Sequence, residues 1–246
     1  MKKGWIFVIV IGVAVFTLIF WVLFRDGGEA VLVLNPPDGE KFAVRWRVRL
    51  SDVFGTSFFE RRNEHTQETE AEMQIERKAG NFRLLFVVHK VVRSGDIFDK
   101  PNEGDRFSLF VDKTYGLKDF VGEIWMPPQV FWLFPLLNGR YTKLGEEWIV
   151  QKTLEGIPYI SGEKAVLKMR LVSASAKTAF LEGELSEPKI VKISLLDMQV
   201  KEANIELEFD KERRFIRRCY AKGELKALSG AQFIEFEGEL LCIPVS

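Results

Sequence analysis

The sequence predicts an all-β protein: a curled or barrel-like antiparallel sheet of roughly a dozen strands, preceded by one transmembrane helix. Three observations predict it. Apolar and polar residues alternate with period two along most of the chain, and helical periodicity is scarce. Turn residues interrupt the alternation at short intervals. Residues Trp5 to Phe24 form one apolar run without a charged side chain, behind Met1-Lys2-Lys3 and closed by Arg25-Asp26.

About 20 helical residues rise roughly 30 Å, the thickness of a bilayer's hydrocarbon core. The run exceeds the apolar core of a cleaved signal peptide, roughly 7–15 residues, and lacks an A-x-A-like site. Trp5 at one end, and Trp21 and Phe24 at the other, suit the membrane interfaces. Lys2 and Lys3 stand on the cytoplasmic side, and Arg25 is offset by Asp26. The positive-inside rule therefore predicts a retained anchor in a bacterial inner membrane, N-terminus inside. Residues 1–27 are the anchor, and residues 28–246 are a periplasmic or extracellular β domain, with possible halves 28–126 and 138–246. No cysteine near the start marks a lipoprotein, and no prepilin start is present.

Thirty-five basic residues balance 35 acidic ones, which leaves no electrostatic footprint for nucleic acid. Asn and Gln are sparse beside Lys, Arg and Glu, a thermophile-like bias.

The clearest strand is Lys41 to Leu50: Phe42, Val44, Trp46, Val48 and Leu50 take one face, and Ala43, Arg45, Arg47 and Arg49 the other. Thr69 to Glu76 alternates likewise, with Thr69, Ala71, Met73 and Ile75 opposite the glutamates. Phe82 to Val92 is apolar on both faces and predicts a central strand covered on both sides. Phe107–Asp112 and Leu117–Ile124 flank a turn at Thr114-Tyr115-Gly116. Further strands are expected at Glu147–Leu154, Lys164–Val172, Thr178–Leu185, Ile190–Leu196, Ala203–Phe209, Phe215–Leu225 and Phe233–Ile243.

The last hairpin allows a register argument. A two-residue loop at Gly230-Ala231 sets Leu225 opposite Phe236, Gly223 opposite Gly238 and Cys219 opposite Cys242. Lys226 then meets Glu235 and Lys222 meets Glu239 on the other face. The preceding hairpin turns at Lys211-Glu212-Arg213, and this phase points Arg217 inward without a reason.

Cys219 and Cys242 are thus expected as neighbours, either a disulfide or two buried thiols. Two cysteines with the dispersed His65 and His89 supply no metal site. Arg45, Arg47 and Arg49 match Glu70, Glu72 and Glu76 in spacing, which predicts a cross-strand charge ladder rather than an anion stripe. His65 falls in a polar turn region and His89 in an apolar strand. No G-x-S-x-G, H-E-x-x-H or Gly-rich phosphate loop occurs, which argues against an enzyme, and no cofactor is implied. Val130, Phe131, Trp132, Leu133 and Phe134, continuing to Leu137, form an aromatic patch too short to span a bilayer. It reads as a core plug or as a lip that touches lipid or a partner.

Phe134-Pro135-Leu136-Leu137, followed by Gly145-Glu146-Glu147-Trp148, resembles the F-P-x-L … G-x-x-W signature of a family of exported bacterial β-sheet proteins of unassigned function. Phe107 to Asp112 with Tyr115-Gly116 and Val121-Gly122 looks like that family's strand–Gly–strand unit. Phe209-Asp210 before the strand from Phe215 looks like its closing hairpin. The resemblance covers roughly residues 40–245 and implies no catalytic residues. More distantly, the sheet is similar to lipoprotein-carrier half-barrels that hold an apolar ligand. The expected function is a non-catalytic binding or structural subunit of an envelope protein complex, with the membrane and protein partners as its contacts. The alternative is a carrier or sensor of a lipid or other apolar ligand.

Overall fold

The computed structural model describes residues 28–56, 59–95, 101–122, 137–154, 163–187, 190–193, 196–228 and 232–245. Fourteen strands lie in this part: β1 (Glu29–Val31), β2 (Lys41–Thr56), β3 (Phe59–Lys78), β4 (Asn81–Ser94), β5 (Arg106–Val111), β6 (Leu117–Gly122), β7 (Tyr141–Lys143), β8 (Glu147–Leu154), β9 (Glu163–Ala174), β10 (Thr178–Glu187), β11 (Ile190–Ile193), β12 (Leu196–Asp210), β13 (Phe215–Ala227) and β14 (Gln232–Pro244). The anchor residues Trp5, Trp21 and Phe24 and the patch Val130–Phe134 lie outside the described residues. Among the described residues no helix is long and apolar enough to cross a membrane.

The fold is all-β and antiparallel, as the alternation predicts. One continuous sheet runs β6-β5-β4-β3-β2-β14-β13-β12-β10-β9-β8, and β11 pairs with β12 beside β10. The path has two ends, β6 and β8, so the sheet is open and the barrel-like alternative is corrected. β1 and β7 form a separate ribbon.

Alternation fixes which face is buried. Phe42, Val44, Trp46, Val48 and Leu50 on β2 are buried beside Ala71, Met73 and Ile75 on β3. Burying each such side chain contributes roughly 1.5–3 kcal/mol. Phe86 stacks on Phe107 at 4.7 Å and meets Trp46 edge-on at 6.5 Å, and Phe42 stacks on Phe215 at 4.6 Å. β4 differs from its expected double cover. Phe82, Leu84, Phe86 and Val88 are buried, but Arg83, Leu85 and Val87 are only half-buried on the outer face. Arg83 explains the exposure, because its guanidinium needs Glu76 and the Ser108 hydroxyl there.

The β13–β14 register is displaced by two residues from the expected one: Leu225 faces Ile234, Gly223 faces Phe236, Ala221 faces Gly238 and Cys219 faces Leu240. A two-residue shift keeps every side chain on its expected face, so alternation cannot detect it. Packing decides it. The Phe236 ring lies over Gly223, where an added Cβ would stand 2.2 Å from the ring edge. Lys226 now pairs with Phe233, its ammonium 5.0 Å from the ring centre, and Lys222 faces Glu237.

Arg217 points outward. β12 and β13 pair Phe209 with Ile216 but Glu208 with Arg218, so Arg217 is the extra residue of a bulge. The bulge buries Phe215 and Ile216 consecutively and sends Arg217 out to Glu208, 2.8 Å away.

The turns β3–β4, β5–β6, β9–β10 and β12–β13 lie at the same end of the sheet, where β2 begins and β14 ends. Residues 28–40 lace this end together. Glu29 pairs with Lys143, Leu32 donates to the Arg140 carbonyl, Leu34 to Lys113, Asn35 to Arg214 and Gly39 to Ile75. Leu32 and Leu34 drop into the core, which anchors the lacing by burial as well as by hydrogen bonds.

Candidate functional site

The outer face carries the expected ladder. Arg45 pairs with Glu70 at 3.0 Å, Arg47 with Glu68 at 2.6 Å and Arg49 with Glu64 at 2.7 Å. Glu72 goes instead to Lys41 and Glu76 to Arg83, because the strand register sets Arg45 opposite Glu70 and Lys41 opposite Gln74. The network continues across β14 and β13 through Arg62–Glu235 and Arg218–Glu239. Two grooves cross this face, one between Arg49, Tyr220, Lys222 and Glu235, the other between Lys168, Arg170, Glu184 and Asn204. Their charges are held by opposite neighbours: Lys222 by Glu202, Lys168 by Glu147 and Arg170 by Glu182.

The inner face has a polar end that sequence reasoning missed. Thr69, Gln67, His65 and Asn63 continue the inward parity of Ile75, Met73 and Ala71 along β3. That unbroken parity is the signal that could have found them. Gln67 and Thr69 are fully buried. Arg93 on β4 donates to Gln67 Oε1 at 2.8 Å and to Asn102 Oδ1 at 3.1 Å, and also reaches the Pro101 carbonyl, while Gln67 Nε2 donates to Thr69 Oγ1 at 3.2 Å. Arg93 thereby fastens the loop before β5 to the inner face. Asp52, on β2, shares this end. Burial pushes its carboxyl up, against the opposing pull of His65. Gly95 adopts φ +83 and lies so close to His65 that an added Cβ would stand 2.2 Å from its Nδ1. His89 is exposed, as the extra residue of a bulge opposite Glu70 and Ala71.

Cys219 and Cys242 share the buried face, but Cys219 sits opposite Leu240, so the directly opposed arrangement is corrected. Cys242 is a free thiol. Burial, then the neighbouring Cys219, raises its pKa far above the ordinary thiol value. Trp46 and Trp148 each bury an indole N–H that has no acceptor among the described residues. Leu137, the last residue of the aromatic stretch, is buried, and its N–H donates to the Thr114 carbonyl at 2.9 Å. Among the described residues no group of three His, Cys, Asp or Glu side chains is placed to hold a metal.

The sheet edges remain. Among the described residues β6 pairs only with β5, and β8 only with β9. β6 exposes Val121 at 53% and β8 exposes Ile149 at 71%. Each edge carries a row of backbone groups with no partner strand among the described residues. No protein-family model and no curated protein matches the chain.

Proposed function

We propose that the protein is a membrane-held binding or structural subunit of an envelope protein complex, and that its extracytoplasmic β domain works by contact rather than by chemistry. The open sheet carries this reading. A strand from a partner can add to β6 or β8 through main-chain hydrogen bonds, with Val121 or Ile149 as side-chain anchors. The apolar run 5–24 supports a fixed place at the bilayer, and the ion-paired outer face supports solvation of the rest. A photo-crosslinking residue at Val121 or Ile149, in the full chain in its native membrane, is expected to give discrete adducts with one or a few proteins. Uncrosslinked monomer at both positions, with a native mass of a monomer in detergent, overturns the proposal.

A second reading, a carrier or sensor of a lipid or other apolar ligand, draws on one observation. The indole N–H groups of Trp46 and Trp148 are buried on an apolar face without acceptors among the described residues, and a ligand ester or carbonyl would satisfy them. Organic extraction of the purified protein that recovers lipid in stoichiometric amount supports this reading, and extraction that recovers none removes it.

A further inference from the structure

We propose that the laced end of the sheet is a docking surface for anionic phospholipid headgroups; this rests on the reading of residues 5–24 as a retained anchor. Gly28 follows Phe24 by four residues, and an extended chain spans at most about 3.6 Å per residue. Gly28 therefore stands within about 14 Å of the end of the apolar run. Everything Gly28 and Glu29 touch is brought equally close. The Gly28 carbonyl accepts from Leu144, Glu29 pairs with Lys143, and Lys211 Nζ donates to the Glu29 carbonyl at 3.2 Å and the Ser175 carbonyl at 2.7 Å.

Charge then identifies what this end fits. The segments 28–40, 77–80, 112–118, 137–146, 175–178 and 210–214 carry ten basic and seven acidic side chains. Five of the acids are held by basic neighbours, in the pairs Asp112–Lys118, Glu146–Arg140, Asp210–Arg213, Glu40–Arg213 and Glu212–Lys177. Lys113, Lys143 and Arg214 are exposed and form no ion pair among the described residues. The outer face differs, because its arginines meet glutamates along the ladder. Uncommitted cations on a rim tied to the membrane anchor match the phosphates of an anionic leaflet. A protein partner at this end would have to fit in the same 14 Å of height, roughly one β-sheet layer and its cover.

The test uses the full chain in nanodiscs of phosphatidylcholine alone, or of phosphatidylcholine with phosphatidylglycerol. Amide hydrogen exchange is read over residues 112–118, 138–146 and 210–214. The anionic bilayer is expected to slow exchange there several-fold. About 1 M salt, which shortens the screening length to about 3 Å, should abolish the slowing. The K113Q/K143Q/R214Q variant should lose it too, while Lys201→Gln keeps it. Equal exchange in the two bilayers, with the chain firmly embedded in both, overturns the docking surface and leaves the anchor standing. Slowing that survives salt and the triple variant assigns the rim to a contact other than lipid phosphate and also overturns it. Release of the chain from either bilayer by alkaline carbonate overturns the anchor reading itself.

Discussion

The backbone N–H of Ile216 donates to Tyr115 Oη at 3.1 Å, joining residues 101 positions apart. Tyr115 sits in the β5–β6 turn at φ +64, fully buried, with its ring edge-on to Phe215 at 5.8 Å. Asp112 builds that turn by accepting from the Thr114 and Gly116 N–H groups. One phenol thus ties a turn near the β6 end of the sheet to the bulge between β12 and β13.

Tyr115→Phe removes the acceptor and leaves a buried N–H unsatisfied, at a cost of about 1–3 kcal/mol. For a domain of this size each kcal/mol lowers the melting temperature by roughly 2–4 °C. Thermal melts of the full chain in detergent check this. A variant melting within about a degree of the parent would show that the hydrogen bond contributes nothing.

Gly223→Ala is predicted to destabilise by about 1–3 kcal/mol, because the new methyl collides with the Phe236 ring at 2.2 Å and the Glu202 carbonyl at 2.9 Å. Phe236→Ala alone also destabilises, by removing the ring that covers the glycine. The double variant should be more stable than the sum of the two losses predicts, since the alanine then fills vacated space. Strict additivity in denaturant titrations would contradict the register.

Asp52→Asn is predicted to raise stability at neutral pH. Burial lifts the folded carboxyl above its ordinary value of 3.8, and His65 only partly opposes that shift. A carboxyl that binds its proton more tightly when folded costs stability while it is charged, and the cost fades as pH falls through the folded and then the unfolded value. The variant should therefore melt higher than the parent near pH 7, with the gap closing toward pH 4. A gap that instead widens on acidification would reverse the sign.

Cys242 is predicted to resist alkylation in the folded protein at pH 8. Its raised pKa leaves almost no thiolate, and burial blocks the reagent. After unfolding without reductant it should react fully, as read by peptide mass. Protection that persists in the unfolded, unreduced chain would mean that Cys242 is oxidised.

The sequence carries face and element well, because alternation records which side of each strand meets the core. The inward residues of β2, from Phe42 to Leu50, and the bounds of β8 match expectation. Register was harder to read: a slip of two residues preserves alternation, and only the fit of Phe236 over Gly223 resolves it. Arg217 looked misplaced because a bulge changes parity without a mark in the sequence. β1 and β7, three residues each, are too short to show a period. The polar inner end was hidden because His65 reads as part of a polar turn region, whereas the 20-residue β3 carries it in a strand.

The lacing segment has a consequence for the order of assembly. The ribosome makes residues 28–40 before any other part of the β domain, yet their hydrogen-bond partners come far later: Lys113 for Leu34, Arg140 for Leu32 and Arg214 for Asn35. Leu34 must wait, unsheltered, until Lys113 exists, Leu32 until Arg140, and Asn35 until Arg214. Contacts so distant in sequence make for slow folding and a long exposure of apolar surface. The segment of the β domain that is made first thus stays incomplete until Arg214 is in place, and its docking can serve as a late step of assembly.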